Sequence, residues 1–160
     1  MKKRLPIGND DFAEVRRQNL YFIDKSLMIR DFLDTGDKVT LITRPRRFGK
    51  TLNMTMLREF FDITKDSRQL FQGLSIMDTE YASQINSRPV IFLTLKDCKG
   101  TTAQEMLLLM KKQIYLEYMR YEKNMKGKLD EASLLAQDFR AMIDVLRDPA
   151  SLPALFTDSI

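Results

Sequence analysis

Apolar residues recur at helical spacing in several stretches of the chain and form nearly continuous runs in two others. The clearest stripe, with a period near 3.6 residues, consists of Leu52, Met56, Leu57, Phe60 and Phe61. Nearly continuous apolar runs occupy residues 39–42, within a predicted strand at 38–43, and residues 90–95. The second run is typical of a strand buried on both faces. Two strands joined through helices imply a parallel sheet with a right-handed crossover. The pattern therefore predicts an α/β fold in which helices flank a parallel sheet.

Capping residues predict two short helices before the first strand. Asp10 or Asp11 can cap the first of them. Asp24 can cap the second, which Gly36 would close at its C-terminal end. Further helical segments are predicted around residues 70–71, 81–85, 101–123 and 129–146.

These elements predict one domain, because 160 residues suit a single core. Its parts are a helical lead-in over residues 1–37, a core with two strands over 38–100, and a helical segment over 101–160. The predicted fold class is therefore α/β with a helical carboxy-terminal part.

The first predicted strand leads into a basic turn and then into a helix. Residues 41–52 read Leu-Ile-Thr-Arg-Pro-Arg-Arg-Phe-Gly-Lys-Thr-Leu. A phosphate-binding loop has the same order of parts: a strand, a loop, the triplet Gly-Lys-Ser/Thr and a helix. Here Arg44 stands where the usual pattern has its first Gly. The alternative interpretation is a basic surface turn, since roughly one chain in ten of this length carries such a triplet by chance.

The residue types of this loop suit a nucleoside triphosphate with Mg²⁺. The candidate site residues are Arg44, Arg46, Arg47, Phe48, Gly49, Lys50 and Thr51. A helix start offers unsatisfied N–H groups and a favourable dipole to a phosphate, and Gly49 lets the backbone approach it without a Cβ. Lys50 could reach the β and γ phosphates, and the Thr51 hydroxyl could bind the metal. The three arginines would add positive potential around the site.

Four segments of the chain resemble the predicted AAA-ATPase-like family of bacteria and archaea. They are Leu-Pro-Ile-Gly-Asn-Asp-Asp-Phe at residues 5–12, Tyr-Phe-Ile-Asp-Lys-Ser at 21–26, Thr-Arg-Pro-Arg-Arg-Phe-Gly-Lys-Thr at 43–51 and Arg-Pro-Val-Ile-Phe-Leu-Thr-Leu-Lys-Asp at 88–97. In that family Arg is the normal residue at the first Gly position of the loop, so Arg44 fits the resemblance. The resemblance implies a P-loop NTPase with ATP and Mg²⁺ as ligands. In full-length members it also implies a restriction-nuclease-like domain that follows.

Full-length members of that family carry Walker B acids in an Asp-Glu-Tyr-Asp element on a later strand. No aspartate near the end of this chain follows a comparable apolar run; these aspartates are Asp138, Asp144, Asp148 and Asp158. We therefore interpret the chain as the amino-terminal part of a longer protein, which would bind ATP weakly and not hydrolyse it at a useful rate. Its strands would lack a neighbour, so we expect marginal stability.

The formal net charge of the chain is +4, and the excess lies in its first part. Residues 1–60 contain 13 Lys/Arg and 8 Asp/Glu, a net +5 around the predicted loop. Such an excess favours a polyanionic ligand. It also leaves open a basic interaction module that binds nucleic acid, without sequence preference, or a protein partner.

The remaining composition restricts the chemistry and the compartment. The chain has no His, so the commonest general base and the commonest zinc ligand are both missing. Its single cysteine, Cys98, cannot form an internal disulfide, and a reducing cytoplasm is the simplest expectation. The longest continuous apolar run has only five residues, 106–110, so we expect no membrane-spanning helix.

Overall fold

The computed structural model describes residues 3–43, 45, 48–96, 98–125, 137, 140, 141, 143 and 144. The chain divides into two compact units, residues 1–90 and residues 91–160.

The described elements of the first unit are all helical. In chain order they are α1 (Phe12–Arg17), α2 (Leu27–Thr35), α3 (Lys50–Phe61), α4 (Arg68–Phe71) and two 3₁₀ helices, Ser75–Asp78 and Glu80–Gln84. The predicted helix after the Gly-Lys-Thr triplet is thus confirmed as α3, and the pieces predicted around residues 70–71 and 81–85 are also present.

The ends of the first two helices show which caps the sequence predicted correctly. The Asp11 carboxylate accepts a hydrogen bond from the Glu14 amide at 3.1 Å, which confirms Asp11 as the cap of α1. Gly36 closes α2 with a φ of 63°, a left-handed conformation that glycine adopts without strain. The N-cap of α2 is Ser26 rather than Asp24, so that prediction was wrong by two residues. Asp24 instead accepts a hydrogen bond from the Ser26 amide at 2.8 Å.

The predicted parallel sheet is absent from the described part of the chain, so the α/β prediction was wrong. The described residues form no strand, and their one isolated parallel bridge joins Asp62 to Arg88. Residues 38–43 make no backbone hydrogen bond to another described segment. Val39 and Leu41 are 85% and 83% exposed, and Ile91 in the second predicted strand is 67% exposed. An apolar run becomes a buried strand only where neighbouring strands bond to its backbone, and the described residues provide no such strand for either run.

An aromatic core holds the helices of the first unit together. The Phe12 ring lies 4.9 Å from that of Phe71, which lies 5.3 Å from that of Phe60. Its buried members are Phe12, Ile29, Met56, Phe60, Phe61, Phe71, Leu74 and Ile76. They come from α1, α2, α3, α4 and the first 3₁₀ helix together with Leu74 just before it. The apolar stripe predicted on α3 supplies three of them, and burying such side chains contributes roughly 1.5–3 kcal/mol each.

The second unit contains one long described helix, α5 (Ala103–Met125). Its start is a capping box: the Thr102 hydroxyl accepts from the Glu105 amide at 3.2 Å, and the Glu105 carboxylate accepts from the amides of Thr101 and Thr102 at 2.7 and 3.3 Å. The long helix predicted over residues 101–123 is thus confirmed, but its cap is Thr102 rather than the predicted Thr101. Five residues of the predicted last helix are described, and all are helical: Gln137, Arg140, Ala141, Ile143 and Asp144.

The second unit contains the single cysteine and the one described aspartate of the four that were compared with Walker B acids. Cys98 is buried and forms no disulfide. Asp144 is an exposed helical residue, whereas Asp138, Asp148 and Asp158 lie outside the described residues.

Among the helices that the structure describes, none combines the length and the hydropathy that a membrane crossing needs.

Candidate functional site

The start of α3 has the backbone geometry of a loop-to-helix junction. Gly49 is the N-cap residue, with φ 74° and ψ 23°, and Lys50 is the first helical residue. A Cβ added at Gly49 would meet no heavy atom within 4 Å. The left-handed backbone, rather than crowding, is therefore what favours glycine at this position.

The first turn of α3 exposes donors that suit an anion. No side chain caps the helix, and its first turn has no acidic residue. The Asn53 amide donates to the Gly49 carbonyl at 2.9 Å, whereas the amides of Thr51 and Leu52 donate to no acceptor in the described part of the chain. Unsatisfied N–H groups and the positive end of the dipole both favour negative charge at such a helix start.

The side chains of the Gly-Lys-Thr triplet lie around this helix start. The Lys50 ammonium donates to the Pro45 carbonyl at 3.2 Å, so the side chain folds back along the preceding loop. Thr51 is exposed. Phe48, which is 60% exposed, lines a different hollow of about 670 Å³. Arg44, Arg46 and Arg47 lie outside the described residues.

A cavity of about 860 Å³ opens at this junction. One wall is formed by Gly49, Lys50, Thr51 and Leu52, and a second wall is formed by residues 6–10 near the start of the chain. Protein pockets that hold small molecules and cofactors commonly have volumes of about 300–1,000 Å³. The cavity is therefore large enough for a ligand of nucleotide size.

Hydrogen bonds from α3 hold the second wall in place. The Thr55 hydroxyl accepts from the buried Phe12 amide at 3.0 Å and lies 3.3 Å from the Asp10 carbonyl. The Arg58 guanidinium pairs with the Asp11 carboxylate at 3.0 Å. These contacts join the first residues of the chain to the helix that begins at Lys50. In the sequence, residues 5–12 carry a resemblance to a family and a predicted cap at Asp10 or Asp11, but no signal that assigns them to the site.

Asp24 has a structural role elsewhere in the first unit. Its carboxylate accepts from the Ser75 amide and hydroxyl at 2.7 and 2.8 Å, and from the Ser26 amide. Burial by itself raises the pKa of Asp24, but the hydrogen bonds from Ser26 and Ser75 outweigh it and hold the pKa below the ordinary 3.8.

No group of three potential metal ligands occurs among His, Cys, Asp and Glu side chains in the described ranges.

Comparisons with known proteins identify the family. A family model described as Predicted AAA-ATPase matches residues 6–152. A relative from Azotobacter chroococcum mcd 1, named as an uncharacterized protein in the vnfD 5′ region, is 37% identical over 78 residues. That match covers 48% of this chain and 14% of the relative, so the chain spans only a small part of the relative's length. No solved structure matches the chain. The match over residues 6–152 shows that the chain belongs to the Predicted AAA-ATPase family.

Proposed function

We propose that this chain binds ATP together with Mg²⁺ at the start of α3. The observation that carries the proposal is the cavity whose wall consists of Gly49, Lys50 and Thr51 at an uncapped helix start. Phosphates bind readily at such positions, because amide donors and the helix dipole act on them together. Membership of a predicted ATPase family supports ATP as the nucleotide.

Each residue of the triplet has a distinct role in this proposal. The Lys50 ammonium leaves the Pro45 carbonyl and binds the β and γ phosphates as a point charge. The Thr51 hydroxyl binds Mg²⁺, and the left-handed backbone at Gly49 directs the following amides towards the phosphates. The Phe48 amide and the three loop arginines, Arg44, Arg46 and Arg47, contribute further donors, as the sequence suggests.

We propose binding of ATP without its hydrolysis, and we propose a cytoplasmic location for the chain. Hydrolysis needs an acid that positions the metal and a group that orients the attacking water. Asp10 is the one acidic residue in the described lining of the cavity that contains Thr51, and we assign it no part in hydrolysis. The cytoplasmic location rests on the single, buried cysteine.

Calorimetric titration with Mg·ATP tests the site. We expect Lys50→Ala to weaken binding by at least about tenfold, because a hydrogen bond to a charged group contributes about 1.5–3 kcal/mol. Lys38→Ala is the matched control, since Lys38 is exposed and does not line the cavity. The proposal is wrong if Lys50→Ala and the unaltered chain bind equally, or if the unaltered chain shows no binding at millimolar nucleotide.

A further inference from the structure

Phe48 directly precedes Gly49, and its side chain lines a hollow that is separate from the cavity at Lys50 and Thr51. The two spaces share no lining residue, and this hollow has a volume of about 670 Å³. Phe48 is 60% exposed. Because an aromatic side chain gains free energy when it is buried, closer packing of this ring in the hollow is favourable. The other apolar residues that line the hollow are Leu27 and Met28 of α2 together with Leu41 and Ile42.

We infer that Phe48 positions the phosphate-binding amides: when phosphates bind at the start of α3, its ring packs into this hollow against α2. The inference rests on the proposed function, because it adds a positioning residue to the same phosphate site. In this role the ring touches no phosphate. It acts through the turn at Gly49, which determines where the amides that follow it point.

The backbone at Gly49 is the link between the ring and the amides. Gly49 has φ 74° and ψ 23°, and a Cβ added there would meet no heavy atom within 4 Å. The space beside this turn is therefore open, and its conformation depends on what holds the residues before and after it. Lys50 after it is held as the first residue of α3. A packed Phe48 ring would hold the residue before it.

Binding of phosphate and packing of the ring then favour each other. If the packed ring stabilises the backbone that binds phosphate, bound phosphate stabilises the packed ring by the same free energy. In the structure the Lys50 ammonium donates to the Pro45 carbonyl at 3.2 Å, and the ring is mostly exposed. We expect binding to change both features, with the ammonium turned to the phosphates and the ring turned into the hollow.

A tryptophan at position 48 makes the packing of this side chain visible. The chain has no tryptophan, so Phe48→Trp introduces a single indole whose emission reports on its own surroundings. Mg·ATP and magnesium tripolyphosphate should each shift this emission to shorter wavelength and protect the indole from quenching by acrylamide. The shift should disappear when Lys50→Ala is added to Phe48→Trp. Tyr21→Trp is the matched control and should show no shift, since Tyr21 is 50% exposed and lines neither space.

Calorimetry with the same two ligands distinguishes a positioning role from direct contact with the nucleoside. Phe48→Ala should weaken both ligands by the same factor, about tenfold, which lies in the usual range for coupling between two sites. Phe48→Leu keeps an apolar side chain and should retain most of the affinity. Leu27→Ala removes part of the lining of the hollow. It should weaken binding when made alone but add little to Phe48→Ala, because both changes remove the same contact.

The outcomes separate this inference from the proposed function. Unchanged emission of Phe48→Trp at saturating ligand, or unchanged affinity in Phe48→Ala, would overturn the role of Phe48 and leave the phosphate site standing. A loss of affinity for ATP alone would show contact with the nucleoside and would also overturn it, as would equal losses in Phe48→Ala and Phe48→Leu. If neither ligand binds to the unaltered chain, the proposed function and this inference both fail.

Discussion

Glu59 is a single carboxylate that joins three parts of the first unit. It is 1% exposed, and it accepts from the Lys65 ammonium at 2.6 Å and from the Ser67 hydroxyl at 2.7 Å. The Arg58 guanidinium lies 3.3 Å away. A buried charge is tolerated only when it is paired and hydrogen-bonded in this way. Glu59 thus fixes the chain after α3 against the helix itself.

Replacement of Glu59 by Ala should reduce the free energy of unfolding by about 2–3 kcal/mol, because Lys65 and Ser67 lose their buried partner. Urea unfolding followed by circular dichroism measures the change. Glu80→Ala, at an exposed carboxylate in the second 3₁₀ helix, should change stability by less than about 0.5 kcal/mol. Similar losses in both variants would contradict the role given to Glu59.

Asp24 predicts a pH dependence whose sign follows from its lowered pKa. A carboxylate with a folded-state pKa below its unfolded value stabilises the protein above that unfolded value, here 3.8. This stabilisation is lost as the pH falls through the pKa that Asp24 has in the folded state. Asp24→Asn should therefore destabilise the chain at pH 7 and have less effect near pH 3, in denaturant titrations at both values. Asp78→Asn, at an exposed carboxylate in the neighbouring 3₁₀ helix, is the control. An Asp24→Asn effect of equal size at both pH values would refute this assignment.

At the scale of elements, α3 has two functions in the first unit. Its middle and end supply Met56, Phe60 and Phe61 to the core, and its start forms one wall of the cavity. Thr55, between these parts, accepts from the Phe12 amide at the start of α1 and lies 3.3 Å from the Asp10 carbonyl just before it. The same helix therefore contributes to one wall of the proposed nucleotide site and contacts the end of the other.

Thr55→Val tests this link with little change in side-chain volume. The Phe12 amide would lose its acceptor, and a buried unsatisfied donor costs about 1–3 kcal/mol. We also expect weaker Mg·ATP binding, because the wall at residues 6–10 is no longer held. Urea unfolding and calorimetry measure the two effects. Thr40→Val, at an exposed threonine, should change neither. Unchanged stability in Thr55→Val would show that the hydrogen bond contributes little.

At the scale of the whole molecule, the helices could be predicted from the sequence and the sheet could not. The stripe of α3, the cap at Asp11 and the closure at Gly36 are local signals, because each acts within a few residues of the chain. The apolar runs at 38–43 and 90–95 depend on neighbouring strands that no local pattern supplies, and the described residues form no strand beside either run. Strand formation therefore could not be decided from the runs alone.

In the candidate site, too, the part that depends on local signals could be predicted and the part that depends on distant contacts could not. The Gly-Lys-Thr triplet at 49–51 was visible in the sequence as a helix start with suitable chemistry. The second wall, at residues 6–10, was not visible, because its position depends on contacts between residues such as Phe12 and Thr55, which are 43 positions apart. No spacing rule connects two segments at that separation. The position of residues 6–10 at the cavity is therefore visible only in the structure.

The central claim is that phosphates bind to the amides at the start of α3. Two-dimensional ¹⁵N–¹H NMR during titration with Mg·ATP tests it most directly, since it reports on each amide of this 18.7 kDa chain separately. We predict that the largest shift changes fall on Gly49, Lys50, Thr51 and Leu52, with smaller changes at residues 6–10, and that Lys50→Ala abolishes them at the same nucleotide concentration. Changes confined to other segments, or none at millimolar Mg·ATP, would contradict the account.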